Sequence, residues 1–160
     1  MAKPLYSIDS SSLIHGWREA YFPENFEGFW EEISELADNG ALVASKEVFL
    51  EIKRKDEKLY QWCLQHKGMF IELDETQMGN LSALMAKYPR FVDTRTGRNA
   101  ADPLVIALAM SYSPPLTVIT QEGPGGTDER PKIPFVCAKE KVPCINLAQL
   151  VQKEGWKFRR

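Results

Sequence analysis

PLYSIDSSS, residues Pro4–Ser12, is the stretch from which the rest of the chain is read. Leu5–Ile8 has the character of a short strand, and the strand ends on an aspartate, Asp9. Three serines follow, and then Leu13 and Ile14 open a helix. Short hydroxyl and carboxylate side chains favour this junction because their oxygens accept from the free amides of a helix's first turn. Asp9 is therefore expected at the carboxyl end of a strand, against a helix N-terminus. It serves there as a cap, as part of a ligand site, or as both. In open α/β sheets that edge is where ligands bind.

Outward from this point the chain alternates. Phe26, Phe29, Trp30, Ile33, Leu36 and Ala37 recur at helical spacing and stop at Asn39-Gly40. The stripe reads first as core. Its ring area also offers a face for a homodimer or another partner, through Phe26, Phe29 and Trp30. Ala41–Ala44 is a second strand, and Ser45 is expected to cap the helix carrying Val48, Phe49 and Ile52. A further helix follows over Asp56–Lys67, then a strand over Met69–Leu73. Asp74 and Gln77 have capping-box spacing ahead of Met78, Leu81, Leu84, Met85 and Tyr88. An arginine-rich loop, with Arg90, Arg95 and Arg98, leads to the apolar helix Leu104–Met110. Leu116–Thr120 is a β-branched strand, Gly123–Gly126 a flexible loop, and Val142–Ile145 a last short strand. Asn146 caps a final helix ending near Lys153, with the basic tail Lys157, Arg159 and Arg160 beyond it. Strands alternating with helices predict an α/β fold with a mostly parallel sheet covered on both faces.

The chain has 160 residues, 44% of them hydrophobic and 26% charged, which suits one globular domain. The net charge of −2 removes the overall basic field of a non-specific nucleic-acid binder, so phosphate contacts must be local. No signal peptide or membrane span is expected, which points to the cytoplasm. Cys63, Cys137 and Cys144 have no metal-ligand spacing and read as free thiols. His15 and His66 lack the partners of a zinc site or a catalytic triad.

The carboxylates carry the functional signal. Asp9 follows the first strand, and Glu47 and Glu51 lie one turn apart on the helix after the second. Asp102 opens the apolar helix, and Glu122 comes two residues after the strand ending in Thr120. A parallel sheet gathers these positions at one edge. Like charges brought together there repel unless neutralised. Mg2+ or Mn2+ favours such oxygen ligands and serves phosphodiester cleavage. Each acid also has a plain structural role: Asp102 before Pro103 as an N-cap, Glu47 as a first-turn charge, Glu122 as a loop charge.

The segments YSIDSSSLI, SKEVFLEI, AADPLVIALA and VITQE resemble the PIN domain of nucleases, in that order, over about residues 5–150. The resemblance implies a three-layer α/β/α fold and a Mg2+ or Mn2+ site built from Asp9, Glu51, Asp102 and Glu122. Glu47, Ser11 and Thr120 would support it. It implies an endoribonuclease acting on single-stranded RNA, and the toxin of a toxin–antitoxin pair of the VapC type. Arg90, Arg95 and Arg98 suit phosphate contacts. The fourth acid is often aspartate in that family and is glutamate here, and the chain is longer between Glu122 and Cys137. The alternative is a PIN-like module that binds RNA or protein without cutting. An aspartyl phosphatase fits less well, because position 11 is Ser11 rather than a second aspartate.

Overall fold

The structure, a computed structural model, describes residues 2–92 and 101–158. Five strands form one sheet in the order β3-β2-β1-β4-β5: β1 (Tyr6–Ile8), β2 (Leu42–Ser45), β3 (Phe70–Ile71), β4 (Thr117–Ile119) and β5 (Cys144–Ile145). Every pairing is parallel. β1 is central, buried throughout, and bounded by β2 and β4.

Helices cover the sheet. They are α1 (Ser10–His15), α2 (Glu27–Asp38), α3 (Lys46–Lys55), α4 (Glu57–Gln65), α5 (Glu75–Lys87), α6 (Asp102–Met110), α7 (Ile133–Glu140) and α8 (Leu147–Glu154). α6 is the core helix. Val105, Ile106, Ala107 and Ala109 are fully buried, and the helix packs on β1, β2 and β4, with α5 and α7 against it. Burying one such large aliphatic side chain contributes about 1.5–3 kcal/mol.

α1 does not stop at His15. The chain continues through a wider turn, Gly16–Ala20, closed by the Tyr21 amide donating to the Gly16 carbonyl five residues back. Gly16 sits in close packing: a Cβ there would lie 3.1 Å from Leu147 Cδ1 of α8, which would have to shift by a few tenths of an ångström. At the end of α2 Gly40 has φ +90°, a conformation glycine adopts without strain.

Several sequence expectations change here. The aromatic stripe of α2 is not a free face. Phe29 and Trp30 are buried, and Phe29 stacks on Tyr21 and meets Trp156 and Phe158 edge-on. Only Phe26 of the three rings is exposed. Ser45 precedes α3 but its hydroxyl caps nothing and is buried without a partner. Asp74 accepts from the Gln77 amide, yet the Gln77 side chain turns to the Glu72 carbonyl, so the reciprocal box is absent. Asn146 and Gln149 do form one on α8. α7 was not expected from the sequence at all. Its N-terminal residue Lys132 offers no side-chain cap, and Pro131 and Pro134 disguise the start. The Gly123–Gly126 loop is seated on it: a Cβ on Gly126, at φ +104°, would meet Phe135 at 2.9 Å and the Lys132 nitrogen at 3.0 Å.

Among the described residues no helix is long and apolar enough to cross a membrane. Cys63, Cys137 and Cys144 are free thiols, the first two buried.

Candidate functional site

The parallel register of β1 and β4 builds the site. Ile8 lies beside Ile119, and the Asp9 amide donates to the Ile119 carbonyl at 3.0 Å. The next residue of each strand is therefore a neighbour of the other. Thr120 donates its hydroxyl to Asp9 Oδ2 at 2.6 Å. The Ser12 amide donates to Asp9 Oδ1 at 2.9 Å, so Asp9 is also the N-cap of α1. Ser11 Oγ bridges both carboxylate oxygens at 2.9 and 2.8 Å. Asp9 is 2% exposed. Burial pushes its carboxyl up to about 6, against the opposing pull of the Thr120 hydroxyl, the Ser12 amide and Ser11.

Asp9 lies in an open cleft of about 530 Å3 together with Glu51 from α3, Asp102 from α6 and Glu122 from the loop after β4. Asp102 is the first residue of α6, and the N-cap position that the sequence assigned to it is held by Ala101. Burial, and then the negative charges of Glu122, Asp9 and Glu51, push it up to about 8. The hydrogen bond that protonated Asp102 donates to the Glu122 carboxylate adds to the shift. Of the five acids that the sequence gathers at this edge, Asp9, Glu51, Asp102 and Glu122 line one cleft and Glu47 does not.

Each acid is engaged by the protein itself. Glu51 accepts from Lys55 Nζ at 2.7 Å. Glu122 Oε2 accepts from the Ile133 amide at 2.7 Å and so supplies from a distance the cap that α7 lacks locally. Among the described residues no three Asp, Glu, His or Cys side chains stand close enough to hold one ion as they are placed. The donor set is nevertheless all oxygen, with a buried acid and mutual repulsion, which is the chemistry that suits a hard divalent cation.

Glu47 is separated from the other acids. It lines a different groove, with Leu50, Gln77 and Leu104. A four-residue step overshoots a helical turn by roughly 40°, and α3 divides its charged face between the two grooves on that offset. Arg90 is exposed and does not line the acid cleft, while Arg95 and Arg98 lie outside the described residues. The cations that do line the cleft are Arg18 and Lys55, with His15 beside them. Arg18 donates to Asp56 and to the Lys55 carbonyl, both at 2.7 Å. Sequence reading missed all three. The four-residue spacings of Glu51 with Lys55 and of His15 with Glu19 were the available signals.

A family model covers residues 6–158, nearly the whole chain. The chain belongs to the family described as a domain of unknown function (DUF4411). Among solved structures this DUF4411 chain is similar to the crystal structure of FitAcB from Neisseria gonorrhoeae. The TM-score is 0.50 at 17% identity, with 89% of this chain and 97% of that chain covered. It is also similar to the crystal structure of PAE2754 from Pyrobaculum aerophilum, at TM-score 0.46 and 16% identity, covering 95% and 97% of the two chains. A comparison with curated proteins finds no match. At these identities the likeness is one of fold. The DUF4411 chain has a PIN-like α/β fold with its parallel sheet flanked by helices.

Proposed function

We propose that the protein is an endoribonuclease dependent on Mg2+ or Mn2+ that cleaves single-stranded RNA, and that it is the toxin of a toxin–antitoxin pair. One observation carries the reading: Asp9, Glu51, Asp102 and Glu122 line one cleft at the carboxyl edge of the sheet, where burial and the neighbouring negative charges push the Asp102 carboxyl upward. Structural carboxylates are rarely left in mutual repulsion, whereas functional ones are. The PIN-like fold supports the nuclease class and the antitoxin partner.

Asp9, Glu51, Asp102 and Glu122 would hold the cation. When bound, it would supply charge to activate the attacking water and to stabilise the phosphoryl group. Thr120, Ser11 and the Ser12 amide fix the Asp9 carboxylate in place before any ligand arrives. Asp102 must give up its proton for a cation to bind, so affinity rises with pH through its titration. Arg18 and Lys55 at the rim suit the RNA phosphates.

A second reading has its own observation. Lys55 neutralises Glu51 and the α7 amide occupies Glu122, an arrangement that serves the fold without a metal. On that reading the chain binds RNA or protein without cutting. The deciding experiment incubates a largely single-stranded RNA with the protein and Mn2+ or Mg2+, with and without EDTA, beside Asp102→Asn. Cleavage that EDTA and the variant both remove supports the nuclease. RNA bound intact at every metal concentration supports the module.

A further inference from the structure

A groove of about 1,120 Å3 lies outside the acid cleft. Trp17, Trp30 and Trp62 line its floor. They meet edge to face, at 5.0 Å between Trp17 and Trp30 and 5.3 Å between Trp30 and Trp62. The indole nitrogens of Trp30 and Trp62 are already satisfied, by the Tyr21 carbonyl and the Ser34 hydroxyl. What the floor offers is ring surface, most of it from the half-buried Trp17, because Trp30 and Trp62 are themselves buried.

The rim is of one sign. Glu27, Glu31, Glu35 and Asp38 of α2 line it, with Glu24 just before the helix, and all five are exposed. No lysine or arginine lines the groove among the described residues; the one basic group there, His66, is bonded to Asp38 at 2.7 Å. α2 carries no basic residue at all, in a chain whose 20 basic and 22 acidic residues nearly balance. Like charges four apart destabilise a helix, and an acid in the last turn opposes the helix dipole. α2 keeps both without a side-chain N-cap to offset them.

We propose that this groove is the docking site for a partner protein's segment that carries arginine or lysine beside apolar side chains. The acidic rim repels RNA and anionic membranes and attracts cations. The indole faces take apolar side chains and favour guanidinium groups over them. The volume exceeds the roughly 300–1,000 Å3 of small-molecule pockets and suits a peptide. The carboxylates recur at intervals of four, four and three residues, which is about 6 Å along the helix for the first two intervals and about 4.5 Å for the last. Cations at alternate positions of an extended segment have nearly that repeat.

The test uses the full chain in EDTA, so that it does not depend on metal chemistry in the acid cleft. A short fluorescein-labelled peptide of alternating leucine and arginine is titrated by anisotropy. Its glutamate counterpart and an all-arginine peptide serve as comparisons. The leucine–arginine peptide binds best. Binding falls about tenfold or more in Glu31→Lys/Glu35→Lys, by a smaller step in the same direction in Glu31→Gln/Glu35→Gln, and with added salt. Glu51→Gln, in the acid cleft, leaves it unchanged. Equal binding to the charge-reversed protein, loss in Glu51→Gln instead, or preference for the glutamate peptide overturns the proposal. So does sedimentation showing a dimer of this chain that the charge reversal dissolves.

Discussion

Thr120 and Asp9, 111 residues apart in sequence, are joined by a hydrogen bond of 2.6 Å at the carboxyl edge of the sheet. The threonine hydroxyl donates to Asp9 Oδ2 and accepts from the Glu122 amide at 3.2 Å, so it links two of the four acids through one oxygen. Hydrogen bonds to charged groups contribute about 1.5–3 kcal/mol.

Thr120→Val keeps the shape and removes that donor. The Asp9 carboxyl then rises further, and cation affinity falls about tenfold, the equivalent of roughly 1.4 kcal/mol. Thr120→Ser restores it. Mn2+ titration calorimetry on the three proteins checks this, and a valine variant that binds as the parent does removes Thr120 from the site.

The raised carboxyls also set a stability profile. A carboxyl whose folded value lies above its unfolded one binds more protons in the native state, so stability falls as pH rises through that interval. For Asp9 the interval runs from about 4 to about 6, and for Asp102 from about 4 to about 8. In EDTA the protein is therefore expected to lose stability steadily between about pH 4 and pH 8. Asp102→Asn flattens most of that slope. Saturating Mn2+ raises the melting temperature more at pH 8 than at pH 5. Thermal melts across this range decide it; a slope of the opposite sign contradicts the acid-cluster geometry.

The edge of the sheet was legible in the sequence because β1 is short, apolar and followed at once by polar caps. Asp9, Asp102 and Glu122 could be placed from strand and helix ends alone. α6 was legible from its apolar run. Whatever depends on distant chain segments was not. α7 is capped by Glu122, eleven residues away, and its only local start signal is Pro134 in the first turn, with no side-chain cap before it. The α2 stripe reads first as core, but what covers Phe29 was not legible, because Trp156 and Phe158 come from the other end of the chain. The wide turn at Gly16–Ala20 lies against Leu147 from the far end of the chain, a neighbour that no spacing encodes. Glu47 and Glu51 shared a face in sequence and are divided by packing on either side of α3.

That division separates the two glutamates experimentally. Glu51→Gln is expected to lower RNA cleavage by about a hundredfold, since it removes one of the carboxylates proposed to hold the cation. Glu47→Gln stays within about twofold of the parent. The two rates, measured at one Mn2+ concentration and supplemented by circular dichroism, give the answer. Equal losses would mean that the grooves act together, and loss at Glu47 alone would reverse the assignment.

Glu122 serves two structures, and two substitutions can pull them apart. Its Oε2 accepts from the Ile133 amide at 2.7 Å, which anchors the first turn of α7. Its carboxyl also hydrogen-bonds Asp102 and is the leading charge acting on it. Glutamine keeps an acceptor oxygen for α7 but loses the charge. Alanine loses both. Removing a helix cap costs about 1 kcal/mol, so Glu122→Ala melts lower and Glu122→Gln melts close to the parent. If Glu122 were only a cap, cleavage would follow stability, and the glutamine variant would cut normally. With Glu122 contributing charge to the cation site, both variants lose cleavage about tenfold or more. In EDTA both also move the Asp102 titration down toward the ordinary carboxylate range. Melting, cleavage and the pH profile of stability, measured together, distinguish the cases. A fully active Glu122→Gln would leave Asp9, Glu51 and Asp102 as the cation's carboxylates and confine Glu122 to holding α7.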